Sequence, residues 1–246
     1  MYERRLSVTN ALIIINVVVF FVGIMVQREA LLAIPYPGAP RTSIFEIACS
    51  YSWFTCFLEG ELWRMVTYQF VHANFGHILL NMWALYFFGQ VVEESMGPRR
   101  YLVFYLCCGI AGALFSSLLA GFNLYSTVPA TPQNEYFCNL LAEFAGYNGR
   151  VHCWEMIPLI GASASVYGVI VACAFMYPDA RISLLFPPIT LRLRTFAVCI
   201  IGIAAVTILF NLSNAGGEAG HLGGIIMGLL IMLIWKYRYH NRLPRY

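Results

Sequence analysis

The chain has 246 residues, of which 60% are hydrophobic and 11% are charged. About a quarter of the residues in a soluble domain are charged, so this composition excludes an ordinary soluble protein. A net charge of +3 gives no indication of a nucleic-acid partner. Long apolar runs, in place of short alternating segments, favour membrane-spanning helices. The predicted fold class is therefore all-α, a polytopic helical bundle in a lipid bilayer.

Six apolar segments predict six membrane spans within a single membrane-embedded domain that covers residues 1–246. The first run ends in Gly-Ile-Met-Val-Gln without a small-x-small cleavage pattern, which favours an uncleaved span over a signal peptide. Turns rich in Gly, Pro and Asp mark several of the later boundaries. The predicted spans are 11–26, 72–92, 101–121, 156–177, 193–212 and 220–235.

Two of the connections are too long to be simple turns. Residues 27–71 form an amphipathic stretch whose aromatic side chains favour a position in the membrane interface. Residues 122–155 form a polar loop to which the sequence assigns no role. The aromatic residues expected to hold the first connection are Trp53, Phe54, Phe57 and Trp63.

Lysines and arginines predict the orientation, because cytoplasmic loops are enriched in them. With six spans, eleven of the 15 basic residues fall on the side that holds both termini, and four fall on the other side. Both termini are therefore expected to be cytoplasmic. The larger group is Arg4, Arg5, Arg99, Arg100, Arg181, Arg192, Arg194, Lys236, Arg238, Arg242 and Arg245, and the smaller group is Arg28, Arg41, Arg64 and Arg150.

Small and hydroxyl-bearing residues surround Ser163 near the start of the fourth predicted span. Apolar spans need no such cluster, so it indicates a hydroxyl that a partner activates as a nucleophile. At about 1.5 Å per residue, Ser163 would lie about 10 Å below the start of its helix. His221 opens the sixth span above Gly224 and Gly228, where a helix-packing motif with an incidental histidine is the alternative interpretation. Close approach of these two helices would bring Ser163 within hydrogen-bond reach of His221.

A serine–histidine dyad is the predicted form of this pair. No acidic residue lies within the apolar segments, and Glu218 is expected in the loop before His221. Tyr167, one turn below Ser163, would pack on the imidazole. The G-x-S-x-G elbow of soluble hydrolases is not the right comparison, because the fifth position is Ser165 and no strand precedes it.

The second span carries His72, His77 and Asn81, of which the last two share a helix face. As neutral groups they offer hydrogen-bond donors, which acyl transfer needs around a developing oxyanion. Two interfacial histidines and a helix-bonding asparagine explain this stretch equally well when it is taken alone. Zinc is less favoured, because H-E-x-x-H and clustered acidic ligands are missing. No metal or cofactor is expected.

In combination, these residues resemble the rhomboid family of intramembrane serine proteases. The resemblance extends over nearly the whole chain, and the ordered combination is more specific than any single motif. The matching pieces are Trp63-Arg64, His72, His77 and Asn81, the turn 93–97 with Arg100, Gly161-x-Ser163, Tyr167, Gly168, and Gly220-His221-x-Gly223-Gly224.

The resemblance implies a six-helix rhomboid bundle that acts as a cofactor-free serine endopeptidase. Its substrates would be single-span transmembrane proteins, cut near the outer ends of their helices. Ser163 would be the nucleophile and His221 the general base. The auxiliary and oxyanion residues would be His77, Asn81, His72, Gly161 and Tyr167, with Trp63-Arg64 as the anchor of the first loop.

The position after the nucleophile departs from the family pattern, because Ala164 stands where rhomboids often have glycine. Its methyl group would either tighten the oxyanion pocket or change a helix contact.

Two other functions stay open: an inactive rhomboid-like protein that binds membrane clients, and a small transporter or channel. Polar groups clustered on one side of the membrane disfavour the transporter. The expected location is a bacterial-type plasma membrane, with the site open to the extracytoplasmic side. The sequence gives no prediction of oligomeric state.

Cysteines fall into two groups of four. Cys107, Cys108, Cys173 and Cys199 lie in predicted spans, where they are small packing groups. The other four lie in predicted outer loops, where an oxidising compartment permits disulfides. Three pairings are possible, and the favoured local bridge joins Cys138 to Cys153 rather than using Cys49 or Cys56.

Overall fold

A computed structural model describes residues 6–27, 44–125, 132–144, 146–183, 188–212 and 214–240. The described chain is mostly helical, which confirms the predicted fold class. Two short antiparallel strands, β1 (Arg181–Ser183) and β2 (Thr190–Arg192), precede the ninth helix. The helices are α1 (Val8–Gln27), α2 (Ile44–Cys49), α3 (Arg64–Thr67), α4 (Phe75–Ala84), α5 (Gln90–Met96), α6 (Pro98–Gly121), α7 (Pro132–Phe144), α8 (Ser163–Met176), α9 (Leu193–Leu209) and α10 (Ala215–His240).

Four helical segments are long and apolar enough to cross a membrane: α1, the continuous helix Phe75–Met96, α6 and α10. A π-helical turn at Leu85–Gly89 joins α4 to α5 within the continuous helix. The helices α8 and α9 are apolar but shorter, with 14 and 17 residues. Each predicted span therefore overlaps one apolar helical segment, while the count of six spans stays a prediction.

The largest boundary error concerns the fourth span, which is predicted from residue 156. The helix α8 begins instead at Ser163, so the predicted depth of about 10 Å below a helix start is wrong. Pro158 has no amide hydrogen for a helical ladder. Gly161 has a φ of +122°, which lies outside the helical region. The apolar run 157–160 is consequently an irregular segment, although its composition suits a helix.

The short helix α8 lies at the centre of the bundle, where most of its residues are buried. It contacts both α6 and α10. A Cβ on Gly224 of α10 would overlap the backbone of Ala164, and a Cβ on Gly168 would clash with α6 and with the Gly224 carbonyl. Backbones can approach this closely only where side chains are small. The close approach predicted from the small-residue rows is confirmed.

The long connection between α6 and α8 contains α7 and a disulfide between Cys138 and Cys153. This confirms the favoured pairing. Cys49 and Cys56 of the first connection are free thiols. Part of the connection between α6 and α8 packs on the first connection. The contact is a small apolar cluster of Phe54, Ala142 and Val151.

Glu93, in α5, is tied to the beginning of α1. Its carboxylate accepts hydrogen bonds from the backbone N–H groups of Val8 (2.7 Å) and Thr9 (2.8 Å), and from the Thr9 hydroxyl (2.7 Å). The first N–H groups of a helix have no acceptor within the helix, and the helix dipole favours a negative charge there. Glu93 therefore caps a helix that lies 85 residues earlier in the chain.

Replacing Glu93 with alanine should lower stability by about 1.5–3 kcal/mol, because buried donors would lose a charged acceptor. The measurement is thermal or denaturant unfolding of the purified protein in detergent. Glu94→Ala is the matched control, since Glu94 is exposed on the next position of the same helix. Equal destabilisation by the two variants would contradict the capping role.

Candidate active site

Ser163 and His221 meet at the beginnings of their helices. The distance between Ser163 Oγ and His221 Nε2 is 2.8 Å, which is a hydrogen bond across 58 residues of sequence. Ser163 is the first residue of α8, and His221 lies two turns into α10. The expected encounter of the two side chains is confirmed.

Besides Ser163, two residues contact the imidazole of His221: Tyr167 at its face and Glu218 at its other nitrogen. The ring of Tyr167 stacks on it with the centroids 4.0 Å apart and the planes 12° apart, as the sequence predicts. At the far nitrogen, Glu218 Oε2 lies 2.9 Å from His221 Nδ1. The expected loop position of Glu218 is wrong, because Glu218 belongs to the first turn of α10.

Sequence reasoning missed Glu218 because of the glycines around it. Gly216, Gly217 and Gly220 have low helix propensity and suggest a loop. The available signal was the spacing of three residues between Glu218 and His221, which places both on one helix face. Tertiary packing overrides the local propensity here, because Gly220 lies against α6, where a Cβ on Gly112 would stand 2.7 Å from the Gly220 carbonyl.

Backbone hydrogen bonds hold the irregular segment 157–162 beside the first connection. Leu159 and Tyr51 exchange both of their backbone hydrogen bonds, at 2.7 and 3.0 Å, and the Gly161 N–H donates to the Tyr68 carbonyl at 2.9 Å. Burial raises the pKa of Tyr51 to about 12. Its hydroxyl is therefore neutral, and it lies 2.9 Å from Ser117 Oγ of α6. The first connection thus positions the residues that lead into Ser163.

The first connection is itself held by Arg64, which is buried. Arg64 pairs with Glu61 and donates to the Ser50 carbonyl at 3.1 Å. The side chain of Trp63 is 58% exposed, so burial in the protein does not hold it in place. Of Trp63 and Arg64, the pair expected to anchor the first connection, Arg64 therefore makes the contacts within the protein. Phe54 is buried, and Trp53 packs on Phe57 with the centroids 4.3 Å apart.

His77 lies in the first turn of α4 and is positioned by its neighbours. Asn74 caps this helix, because its side chain accepts from the His77 N–H at 2.9 Å. A Cβ on Gly161 would stand 2.8 Å from His77 Cε1 and Nε2, so the imidazole lies directly against the backbone before Ser163. Asn81, one turn further on, donates one amide hydrogen to the His77 carbonyl at 2.8 Å. Both residues line the cavity that contains Ser163.

His72 lies behind His77 instead of in the cavity of Ser163. Its ring is buried and makes an edge contact with His77, with the centroids 4.9 Å apart. His72 Nε2 accepts from the Ala162 N–H at 3.4 Å. Among the described residues around the Ser163 cavity, His72 does not contribute to the lining. Its contacts support the segment that leads to Ser163, and its auxiliary role stays a prediction.

The methyl group of Ala164 is directed at α6. A Cβ on Gly112 would overlap the Ala164 methyl, whereas Ala164 is absent from the described lining of the cavity that contains His77 and Asn81. Of the two effects expected from alanine at this position, the geometry favours the changed helix contact. The methyl group does not narrow the space between Ser163 and His77.

A cavity of about 570 Å³ opens beside Ser163 and His221. The backbone N–H groups in the first turn of α8 lack helical partners. Ala162, the residue before α8, has no side-chain acceptor to offer them. The cavity therefore combines a hydroxyl, an imidazole and hydrogen-bond donors at one end of an apolar bundle. Its described lining comes from α4, the segment 157–160, α8 and the start of α10, and includes His77, Asn81, Ser163, Tyr167, Asn214 and His221.

The sequence of this chain matches a known family of proteins. The Rhomboid domain model matches residues 59–238. RHOMBOID-like protein 12, mitochondrial, from Arabidopsis thaliana is 30% identical over 68% of this chain and 45% of its own length. Rhomboid protease AarA from Providencia stuartii is 24% identical over 94% of this chain and 73% of its own length. Inactive RHOMBOID-like protein 8 from Arabidopsis thaliana is 34% identical over 32% of this chain and 22% of its own length.

The fold and the cavity define a multi-pass helical membrane protein with a serine–histidine pair at one end of its bundle. The chain belongs to the rhomboid family. It spans less than half the length of RHOMBOID-like protein 12 and about three quarters of the length of rhomboid protease AarA. Membership of a family that includes proteases supports a protease at the level of the family.

Gly161→Ala should destabilise the protein more than Gly60→Ala. Both glycines have positive φ, +122° and +79°, so both substitutions strain the backbone by about 1–3 kcal/mol. Only at Gly161 would the new methyl also meet the His77 ring, because a Cβ on Gly60 has open space. Unfolding midpoints of the two variants measure the difference. Equal midpoints would contradict the close packing of His77 on residue 161.

Proposed function

We propose that this protein is an intramembrane serine endopeptidase that hydrolyses peptide bonds with Ser163 and His221. The observation that carries the proposal is the 2.8 Å contact between Ser163 Oγ and His221 Nε2 within a cavity of an apolar bundle. A serine hydroxyl is a weak nucleophile unless a base takes its proton. An imidazole at hydrogen-bond distance is such a base.

In the proposed reaction, Ser163 Oγ attacks the carbonyl carbon of the scissile bond while its proton passes to His221 Nε2. The carbonyl oxygen becomes an oxyanion, and the proposed donors to it are His77, the Asn81 amide and the Ser163 backbone N–H. Collapse of this intermediate breaks the carbon–nitrogen bond, and His221 returns the proton to the leaving amine. Water then attacks the acyl-enzyme by the same steps in reverse, and releases Ser163.

The proposed substrates are single-span transmembrane proteins in the lipid bilayer. In an intact helix the carbonyl groups are hydrogen-bonded and enclosed by side chains, so a scissile bond must first leave the helical conformation. Residues with low helix propensity reduce the cost of that unwinding. We therefore place the cleavage site near small or helix-weakening residues at one end of the substrate helix. No metal or cofactor enters the proposed reaction.

The proposed site opens on the extracytoplasmic side, with both termini in the cytoplasm. The helices α4, α8 and α10 all begin at the cavity, so the turn after α5 and the region between α8 and α9 lie at the opposite end of the bundle. Basic residues accumulate at that opposite end. Because cytoplasmic loops are enriched in basic residues, this excess supports a cytoplasmic location for that end of the bundle. The proposed membrane is a bacterial-type plasma membrane. The described basic residues there are Arg99, Arg100, Arg181, Arg192, Arg194, Lys236 and Arg238.

Wild-type protein should cleave a fluorescent single-span substrate, whereas Ser163→Ala and His221→Ala should lose at least about 10³-fold in kcat. The measurement is product formation by purified protein in detergent and in lipid vesicles. Ser165→Ala is the serine control, because its hydroxyl bonds to Gln69 and the Tyr105 carbonyl. His152→Ala is the histidine control, because that side chain is largely exposed.

Both controls should retain activity within about threefold, since neither removes a proposed reacting group. Absence of cleavage by wild-type protein, over several substrates with small residues, would contradict the protease proposal. It would favour the alternative of an inactive rhomboid-like protein that binds membrane clients. Equal cleavage by wild type and Ser163→Ala would instead point to a contaminating protease.

A further inference from the structure

A carboxylate lies directly behind the histidine of the proposed catalytic pair. Glu218 Oε2 is 2.9 Å from His221 Nδ1, while His221 Nε2 is 2.8 Å from Ser163 Oγ. We propose that Glu218 is a positioning residue for His221, so that the reaction uses a Ser163–His221–Glu218 triad in place of a dyad. This inference rests on the proposed function and deepens it.

The carboxylate selects the useful tautomer of His221. An ionised carboxylate only accepts hydrogen bonds, so the contact at 2.9 Å requires a proton on Nδ1. A neutral imidazole with its proton on Nδ1 has its lone pair on Nε2, which faces Ser163 Oγ. The other tautomer would set two acceptors against each other at Glu218 and would present a donor to the serine. It could not take the serine proton.

Tyr167 cannot make this selection. Its ring lies parallel to the imidazole at 4.0 Å, which fixes the plane of His221. A half-turn of the imidazole about its Cβ–Cγ bond exchanges the two edges of the ring and leaves the stacking unchanged. Only a partner at the edge of the ring distinguishes Nδ1 from the carbon opposite to it. Tyr167 and Glu218 therefore restrict different motions of His221.

The surroundings of Glu218 strengthen its interaction with His221. It lies in the first turn of α10, where the helix dipole stabilises a negative charge. Its side chain is 15% exposed and that of His221 is 11% exposed, so water screens the contact only in part. Other polar groups near His221 include Ser163 and Tyr167, with His77, Asn81 and Asn214 in the same cavity. Among these described neighbours, Glu218 is the acidic group.

The same carboxylate stabilises the charge that forms during the reaction. When Ser163 transfers its proton to Nε2, His221 becomes an imidazolium that carries protons on both nitrogens. The negative charge of Glu218 then faces a positive charge, and no bond of Glu218 forms or breaks. The proton returns through Nε2 to the leaving amine. Glu218 thus acts on the transition state through His221 and touches neither the substrate nor Ser163.

The test compares the kinetics of wild type, Glu218→Gln and Glu218→Asp on the same single-span substrate. Glutamine keeps the size of the side chain but removes the charge and allows the wrong tautomer. We expect kcat of Glu218→Gln to fall at least tenfold, with KM within about twofold of wild type. Glu218→Asp, which keeps the carboxylate, should recover at least part of the lost kcat. Glu94→Gln, an exposed position at the other end of the bundle, is the control and should match wild type.

Each other outcome has a distinct meaning. A kcat of Glu218→Gln within twofold of wild type would overturn the positioning role and leave the dyad intact. Equal losses in Glu218→Gln and Glu218→Asp would also overturn it, because the carboxylate would then make no difference. A loss that appears in KM and in the unfolding midpoint, with kcat unchanged, would show a merely structural role. An inactive wild type would overturn the proposed function and the triad together.

Discussion

The arrangement around Ser163 depends on the backbone hydrogen bonds of the segment 157–162. Lipid offers no hydrogen-bond partners, so non-helical backbone within a membrane protein must be satisfied by the protein or by a water-filled cavity. Here the first connection supplies the partners, through Tyr51, Tyr68 and His72. At about 1.5 Å per residue, the 14 residues of α8 extend about 21 Å, which is less than the roughly 30 Å of a hydrocarbon core. The irregular segment therefore makes room for a polar cavity above a short buried helix.

Close helix packing brings Ser163 and His221 together. The backbones of α8 and α10 touch at Ala164 and Gly224, and Gly112 of α6 receives the Ala164 methyl. Because the contact is between backbones, the positions of Ser163 and His221 depend little on flexible side chains. A rigid site of this kind would preorganise the proposed nucleophile and base. Alanine after the serine is compatible with this packing, since the space it fills lies toward α6.

The sequence was sufficient for the helices and for the reactive pair because each leaves a regular pattern. Apolar runs locate the membrane helices, and small residues at four-residue spacing indicate that the helices of Ser163 and His221 approach closely. The cysteine pair was favoured by its proximity along the chain. The count of membrane spans and the orientation stay predictions, because they rest on hydropathy and loop charge.

Three features were beyond the sequence, and each depends on tertiary contacts. The segment 157–160 is as apolar as a helix, but Pro158, the positive φ of Gly161 and the pairing of Leu159 with Tyr51 make it irregular. Glu218 is surrounded by glycines that suggest a loop, yet packing of α10 extends the helix through it. His72 shares a motif with His77 but supports the backbone of Ala162 from behind. For Glu218 the spacing of three residues from His221 was an available signal, but composition and spacing give no indication of the other two contacts.

Chemical labelling of Ser163 tests the central claim most directly, since it needs no knowledge of the substrate. The protein in lipid vesicles is treated with a serine-reactive fluorophosphonate, digested, and analysed by mass spectrometry for the position of the adduct. A nucleophile activated by His221 predicts an adduct on Ser163 that forms at least tenfold more slowly in His221→Ala. An unlabelled Ser163 in folded wild-type protein, or labelling at the same rate without His221, would contradict the account.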